Sequence, residues 1–232
     1  MTAFPPRHRL ASWGLLLLQL VVTVPAAADE PAIKVGILHS LSGTMAISEA
    51  VLKDTVLMLI ADQNKRGGLL GRKLEPDIVD PASDWDLFAV KARDLLTTQQ
   101  VAVVFGCWTS ASRKSVLPVF EQLNGLLFYP VQYEGEESSR NIFYTGATPN
   151  QQAIPAVRYL MSKEGGEIRR WFLLGTDYVY PRTTNKILNA YLATTGVSPD
   201  DITTNYTPFG HSDWRGIIDR IQAFGSEGKR RR

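Results

Sequence analysis

Three short stretches of the sequence combine aromatic rings with hydrogen-bonding groups: Gly106-Cys-Trp-Thr-Ser-Ala-Ser112, Pro130-Val-Gln-Tyr-Glu-Gly135 and Gly175-Thr-Asp-Tyr-Val-Tyr180. Ser110, with the N-terminus of the helix expected there, offers donors to a carbonyl or carboxylate oxygen, while Gln132, Glu134 and Asp177 can accept from N–H groups. The mixture suits a small, polar, amide-like ligand. Each residue also has an ordinary reading, with Ser110 and Ser112 as helix caps, Trp108 and Tyr129 as core, and Asp177 as the start of a turn before Pro181. What favours a site is that three loops carry the same groups.

Catalysis is the competing chemistry. Ser110 with His39 or His211 and an acid could form a hydrolytic triad, as in a secreted serine amidase. However, Gly106-Cys-Trp-Thr-Ser110 is not the Gly-x-Ser-x-Gly elbow, and neither the phosphate-cradling nor the dinucleotide glycine pattern occurs. Beyond the first 28 residues the chain has two widely separated histidines and one cysteine, too few for a metal site of usual spacing. No catalytic residue, metal or cofactor is therefore expected, and the chain reads as a non-enzyme.

The elements that must position these loops alternate. Ile33 to Leu38 is a β-branched run that reads as a buried strand. Ile47, Val51, Leu52, Leu59 and Ile60 recur at helical spacing between about Ala46 and Lys65, and Gly67-Gly68 supplies the stop. Lys73 to Val79 is strand-like, Asp84 can cap a helix to about Gln100, and Val101 to Phe105 suits a sheet covered on both faces. Ser110 or Ser112 opens a helix to about Leu123 that contains Pro118, an expected kink. Leu126 to Tyr129 and Ile142 to Thr145 are short strands. The cycle then repeats: a helix to about Met161, a strand at Trp171 to Leu174, a helix from about Arg182 to Ala193, a strand at Ile202 to Thr207 and a helix from about His211 to Phe224. Such alternation predicts an α/β fold of mostly parallel sheets with flanking helices. In such sheets ligands bind beyond the carboxyl ends of the strands, where all three loops fall.

The ends of the chain differ from the middle. Arg7-His-Arg9, an uncharged apolar run from Leu10 to Val24 and Pro25-Ala-Ala-Ala28 form the three parts of a secretion signal, expected to be cut after Ala28. The protein is therefore expected in the periplasm. Of 25 Lys and Arg residues, six are Arg7, Arg9 and the last four residues; the remainder are outnumbered by 23 Asp and Glu. That balance argues against nucleic acid as a partner. Cys107, the one cysteine, has no disulfide partner in the chain and should pack as a small apolar residue.

Ile33-Lys-Val-Gly-Ile-Leu-His-Ser-Leu-Ser-Gly-Thr-Met-Ala-Ile-Ser48 and Gly67-Gly-Leu-Leu-Gly-Arg-Lys73 resemble the type I periplasmic solute-binding proteins of branched-chain amino acid and amide transporters. Cys107-Trp-Thr-Ser-Ala-Ser-Arg-Lys114, Phe128-Tyr-Pro-Val-Gln-Tyr-Glu-Gly135 and Gly175-Thr-Asp-Tyr-Val-Tyr-Pro-Arg182 look like the urea and short-chain amide branch. The resemblance implies two lobes that close on the ligand and a partnership with the membrane permease subunits of an ABC importer. It further implies that Ser110 and Thr109 hold the ligand's carbonyl and amide and that Trp108 and Tyr129 wall it. Gln132, Tyr133 and Glu134 would complete the first-lobe side, with Asp177 and Tyr178 facing them.

By that comparison residues 1–28 are a signal peptide, 29–147 the first lobe, 148–228 part of a second lobe and 229–232 a basic tail. The second lobe is expected to be incomplete, since its last helix leads into no further strand. An amide sensor or a chemoreceptor-coupled binding protein is the alternative role; the export signal favours transport over a cytoplasmic sensor.

Overall fold

The apolar and β-branched runs become strands, most deeply buried at the centre, where Val35, Ile37, Leu38 and Val104 are at most 4% exposed. In the computed structural model, which describes residues 30–230, five of them form one sheet: β1 (Ile33–Leu38), β2 (Leu74–Val79), β3 (Val103–Gly106), β4 (Leu127–Tyr129) and β5 (Ile142–Tyr144). Their order is β2-β1-β3-β4-β5 and every neighbouring pair is parallel. The leader expected over residues 1–28 lies outside the described residues.

Parallel neighbours need a crossover, supplied by α1 (Ala46–Lys65), α2 (Trp85–Thr97) and α3 (Ser110–Gln122). On one face of the sheet Leu38, Val104, Leu127 and Tyr129 pack with Phe88, Ala92 and Leu95 of α2 and Val116, Val119 and Phe120 of α3. On the other, Val35, Ile37, Val103 and Phe105 meet Val56, Leu57 and Ile60 of α1. The apolar residues that reveal α1 in the sequence are mostly not its packed face: Ile47 is 88% exposed and Leu59 57%, whereas Glu49 is fully buried. The route from β4 to β5, residues 130–141, has no helix and carries the second of the three loops.

The second sheet has two strands, β6 (Trp171–Thr176) and β7 (Ile202–Thr207), parallel and paired from Trp171 with Ile202 to Thr176 with Thr207. Val157 of α4 (Ala153–Met161) and Leu188 and Leu192 of α5 (Val179–Thr194) cover Trp171 and Leu173 on one face. On the other lies α6 (Arg215–Arg230), whose Phe224 meets Phe172 edge-on at 6.1 Å and carries the Arg170 guanidinium 4.1 Å above its ring. Both sheets belong to one compact unit that runs from Pro31 onward. No described helix is long and apolar enough to cross a membrane.

Several element bounds differ from those expected. α2 stops at Thr97 because the Thr98 and Gln99 N–H groups both turn back to Asp94 O and Gln100 takes a left-handed φ of 55°. β3 consequently starts at Val103, not Val101. α5 starts at Val179, ahead of Arg182, because Pro181 sits in its first turn, where a missing N–H costs no helical hydrogen bond. The last helix starts at Arg215 because His211 is held in a turn by Pro208 O, and it runs through Arg230 into the segment expected as a tail.

Candidate functional site

β3 ends at Gly106, where an added Cβ would lie 2.6 Å from Leu38 O, so only glycine lets the two strands end flush. Cys107 then adopts a φ of 65°, an uncommon conformation for a side chain, while its N–H stays bonded to Leu38 O at 2.9 Å. That bend sets up the helix start. Thr109 caps α3: its Oγ1 accepts from the Ser112 N–H at 3.0 Å, and Ser112 Oγ donates to Thr109 O at 2.8 Å. The caps expected at Ser110 or Ser112 are thus replaced by Thr109, because the extended residue just before the first helical one is the one placed to cap. The buried Cys107 thiol has its pKa pushed up by burial and by the Glu49 charge, which leaves it an inert packing group.

Ser110 bonds elsewhere. Its Oγ donates to Glu134 Oε2 at 2.5 Å and accepts from Arg113 Nη1 at 3.2 Å. Arg113 has no exposed surface; it reaches Glu134 Oε1 at 2.8 Å and Glu137 Oε1 at 2.7 Å, and stands over the rings of Tyr129, Tyr133 and Tyr144 at 5.0, 5.2 and 5.8 Å. Lys114 and the Tyr144 hydroxyl complete Glu137 at 2.6 and 2.9 Å. Burial works against ionisation of Glu137, but the hydrogen bonds from Arg113 and Lys114 outweigh it and hold the carboxyl below its usual range. Two cations thus face two carboxylates behind Ser110, which leaves this network without net charge.

In front of Ser110 lies a cleft of about 120 Å³ lined by Trp108, Ser110, Tyr129, Val131, Gln132, Tyr178 and Tyr180. It sits beyond the carboxyl ends of β3 and β4 and is closed by the residues that follow β6. Gly175, where an added Cβ would lie 2.5 Å from the Pro181 ring, lets α5 start close against β6 and brings Tyr178 and Tyr180 across. Phe209 packs against Tyr178 with tilted rings at 4.9 Å and approaches Trp85 at 6.0 Å, joining the two sides by aromatic contact. Burial, with Tyr180 nearby, pushes the Tyr178 pKa up to about 12, so the phenol stays neutral.

Of the nine residues expected at the site, Trp108, Ser110, Tyr129, Gln132 and Tyr178 line this cleft. The other four are placed differently. Thr109 caps α3, Tyr133 stacks on Tyr144 at 4.6 Å, and Glu134 lies behind Ser110. Asp177 is exposed and paired with Arg182 at 2.5 Å; the hydrogen bond from Arg182 lowers its pKa. Val131 and Tyr180 also line the cleft, and Arg113 supports it, although none had been assigned a role. The signal for Arg113 was its position three residues after Ser110, on the same helix face.

No triad forms around Ser110, whose bonds go to Glu134 and Arg113. His39 Nδ1 instead faces Glu49 Oε2 at 3.2 Å in the interior, and the His211 ring packs against Trp214 at 5.0 Å. Among the described residues no group of His, Cys, Asp and Glu could hold a metal ion.

Two parallel sheets with flanking helices, their carboxyl ends meeting at a small neutral cleft, define the type I periplasmic-binding-protein class of fold. Residues 33–228 match the family described as periplasmic binding protein domain, and the chain belongs to that family, which places it in the periplasm. The substrate-binding protein LivJ of Streptococcus pneumoniae, solved with isoleucine, is similar with a TM-score of 0.71 and 17% identity over 82% of this chain and 54% of its own. The leucine-binding protein LivK of Thermotoga maritima gives 0.71 and 13% over 84% and 54%. A solute-binding protein of R. palustris, solved with 4-hydroxybenzoate, gives 0.70 and 18% over 84% and 52%. At such identities the likeness is one of fold. The chain spans about half the length of these structures.

Proposed function

We propose that this chain is the extracytoplasmic solute-binding component of an ABC importer, that it holds urea or a short-chain amide between its lobes, and that it serves permease subunits rather than catalysing a reaction. In this reading the lobes are residues 29–147 and 148–228. The observation that carries it is the cleft itself: about 120 Å³ lined only by neutral groups, with the nearest charges, Arg113 and Glu134, committed to each other at 2.8 Å. Pockets for drug-sized ligands run to roughly 300–1,000 Å³, so the space favours a solute of a few heavy atoms. An amino acid, such as the isoleucine in the Streptococcus protein, brings two charges that would each need a free counter-charge. A urea or acetamide molecule brings none.

Calorimetric titration of the full chain with urea, acetamide and leucine tests this. Urea or acetamide should bind and leucine should not. Replacement of Ser110 by Ala should weaken the binding by about 1–3 kcal/mol through loss of one desolvated hydrogen bond. Binding of leucine with none of urea would overturn the reading.

A further inference from the structure

Phe209 is not among the residues that line the cleft, yet it touches both regions that form it. The Asp177 N–H donates to Thr207 O at 2.7 Å, which ties the end of β7 to the residues just before α5. Beyond Thr207, Pro208 to His211 form a tight turn closed by the His211 N–H on Pro208 O at 3.3 Å; its third residue, Gly210, takes a φ of 75° that favours glycine. The turn presents Phe209 with its ring 4.9 Å from that of Tyr178 and 6.0 Å from that of Trp85. Both separations lie within the range at which aromatic rings attract beyond burial alone, about 4.5–7 Å between centroids. Trp85 opens α2 behind the Asp84 cap and packs on the core of the first region, while Tyr178 lines the cleft with Tyr180 at 6.4 Å.

We infer that Phe209 is a positioning residue for the proposed site, and that Trp85, Phe209 and Tyr178 form an aromatic bridge that couples closing of the cleft to the placement of its far wall. The inference rests on the proposed solute-binding role and deepens it, because it makes affinity depend on residues that do not line the cleft. Trp85 belongs to the first region and Phe209 to the second, so parting the regions breaks their contact and closing them restores it with Tyr178 in the cleft lining. A solute that binds only the closed form gains apparent affinity in proportion to the closed fraction. A second contact also spans the regions, the Glu136–Lys186 ion pair at 3.6 Å, but both side chains are exposed, and such pairs are weak and screened by salt. Of these two contacts the ring bridge is the stronger.

Calorimetric titration of the full chain with urea, acetamide and leucine, repeated in variants of the bridge, tests this. Phe209→Leu keeps apolar bulk but removes the ring, and should weaken binding about 2- to 10-fold, the range of one aromatic pair. Trp85→Leu should weaken it too, yet the double variant should lose no more than Phe209→Leu alone, because Trp85 acts through Phe209. Phe209→Tyr, which restores a ring, should recover the affinity. Phe209 is only half-buried in a turn, so its two variants carry the test if Trp85→Leu fails to fold. Raised salt and Lys186→Ala should leave affinity nearly unchanged. Affinity unmoved by Phe209→Leu, losses that simply add, no recovery in Phe209→Tyr, or a larger loss in Lys186→Ala than in Phe209→Leu would overturn the inference while the amide reading survives. Leucine bound in place of urea and acetamide, with the expected pattern across the variants, would support the bridge and overturn the amide reading. A wild type that binds none of the three would overturn both.

Discussion

The five-stranded and two-stranded regions repeat one unit, a buried parallel strand followed by a helix, yet they differ in what they bury. Around β1 to β5 the interior holds Arg113, Glu134, Glu49 and His39 beside its apolar core, whereas among the described residues around β6 and β7 the fully buried polar ones are Asn185 and Thr207, neither of them charged. The first region also supplies the cleft floor and its supporting network, while the second contributes two tyrosines from the loop and first turn after β6. The difference shows where specificity is built. A buried charge network costs desolvation energy, and here Arg113 and Glu134, paired with each other, both also bond Ser110 from behind the cleft. The far wall supplies ring area, which a loop and the first turn of a helix can provide.

The sharpest way to break the comparison is Arg113→Met. It strands Glu134 and Glu137 with only Lys114 to compensate them, and thermal unfolding should show a loss of about 3–5 kcal/mol, the usual cost of removing one partner of a buried pair. A neutral outcome would mean that the network does not hold the first region together.

Next come paired truncations of strand core residues. Leu127→Ala should cost about 2–5 kcal/mol, toward the upper end because Leu127 is fully buried between two covered neighbours, while Leu173→Ala in β6 should lie toward the lower end. Equal costs in guanidinium unfolding would erase the distinction between the two sheets.

A smaller effect is expected at the cap. Thr109→Ala should cost about 0.5–2 kcal/mol in the same assay, since one first-turn N–H of α3 loses its acceptor. Urea affinity should fall with it if Ser110 is thereby released, which separates a cap that positions the site from one that only stabilises a helix.

The last prediction concerns pH. Glu137 has a folded-state pKa below its ordinary 4.5, so its contribution to stability is present above about 4.5 and is lost as pH falls through the depressed folded value. Melting of the first region should drop in that acidic window. Urea affinity should stay flat between about pH 6 and 9, because no cleft residue changes charge there. A step in affinity near neutrality would point to a titrating group in the cleft.

Much of the fold was legible because the signals are local. Val104 and Ile37 sit in continuous apolar runs, Gly67 and Gly68 take left-handed φ values of 101° and 77° after α1, and Asp84 accepts from the Leu87 N–H as an N-cap. Signals failed where two local rules competed. Pro181 reads as a break but is harmless in the first turn of α5, and Ser110 reads as a cap although Thr109 holds the extended backbone that capping requires. At the site, Trp108, Ser110, Tyr129, Gln132 and Tyr178 could be named because they follow strand ends. Glu134 and Thr109 could also be named, but not which way their side chains turn.

The sequence by itself determined the α/β alternation, the strand ends where a ligand could sit and the aromatic and amide character of the residues there, since each follows from neighbours within a few positions. Only the tertiary structure decided which groups stand behind Ser110. Ser110 and Glu134 are 24 residues apart and Ser110 and Arg113 only three, yet the fold brings all three into one hydrogen-bonded cluster. A hydroxyl can donate or accept with equal ease, and which it does is set by the partners that the fold brings to it.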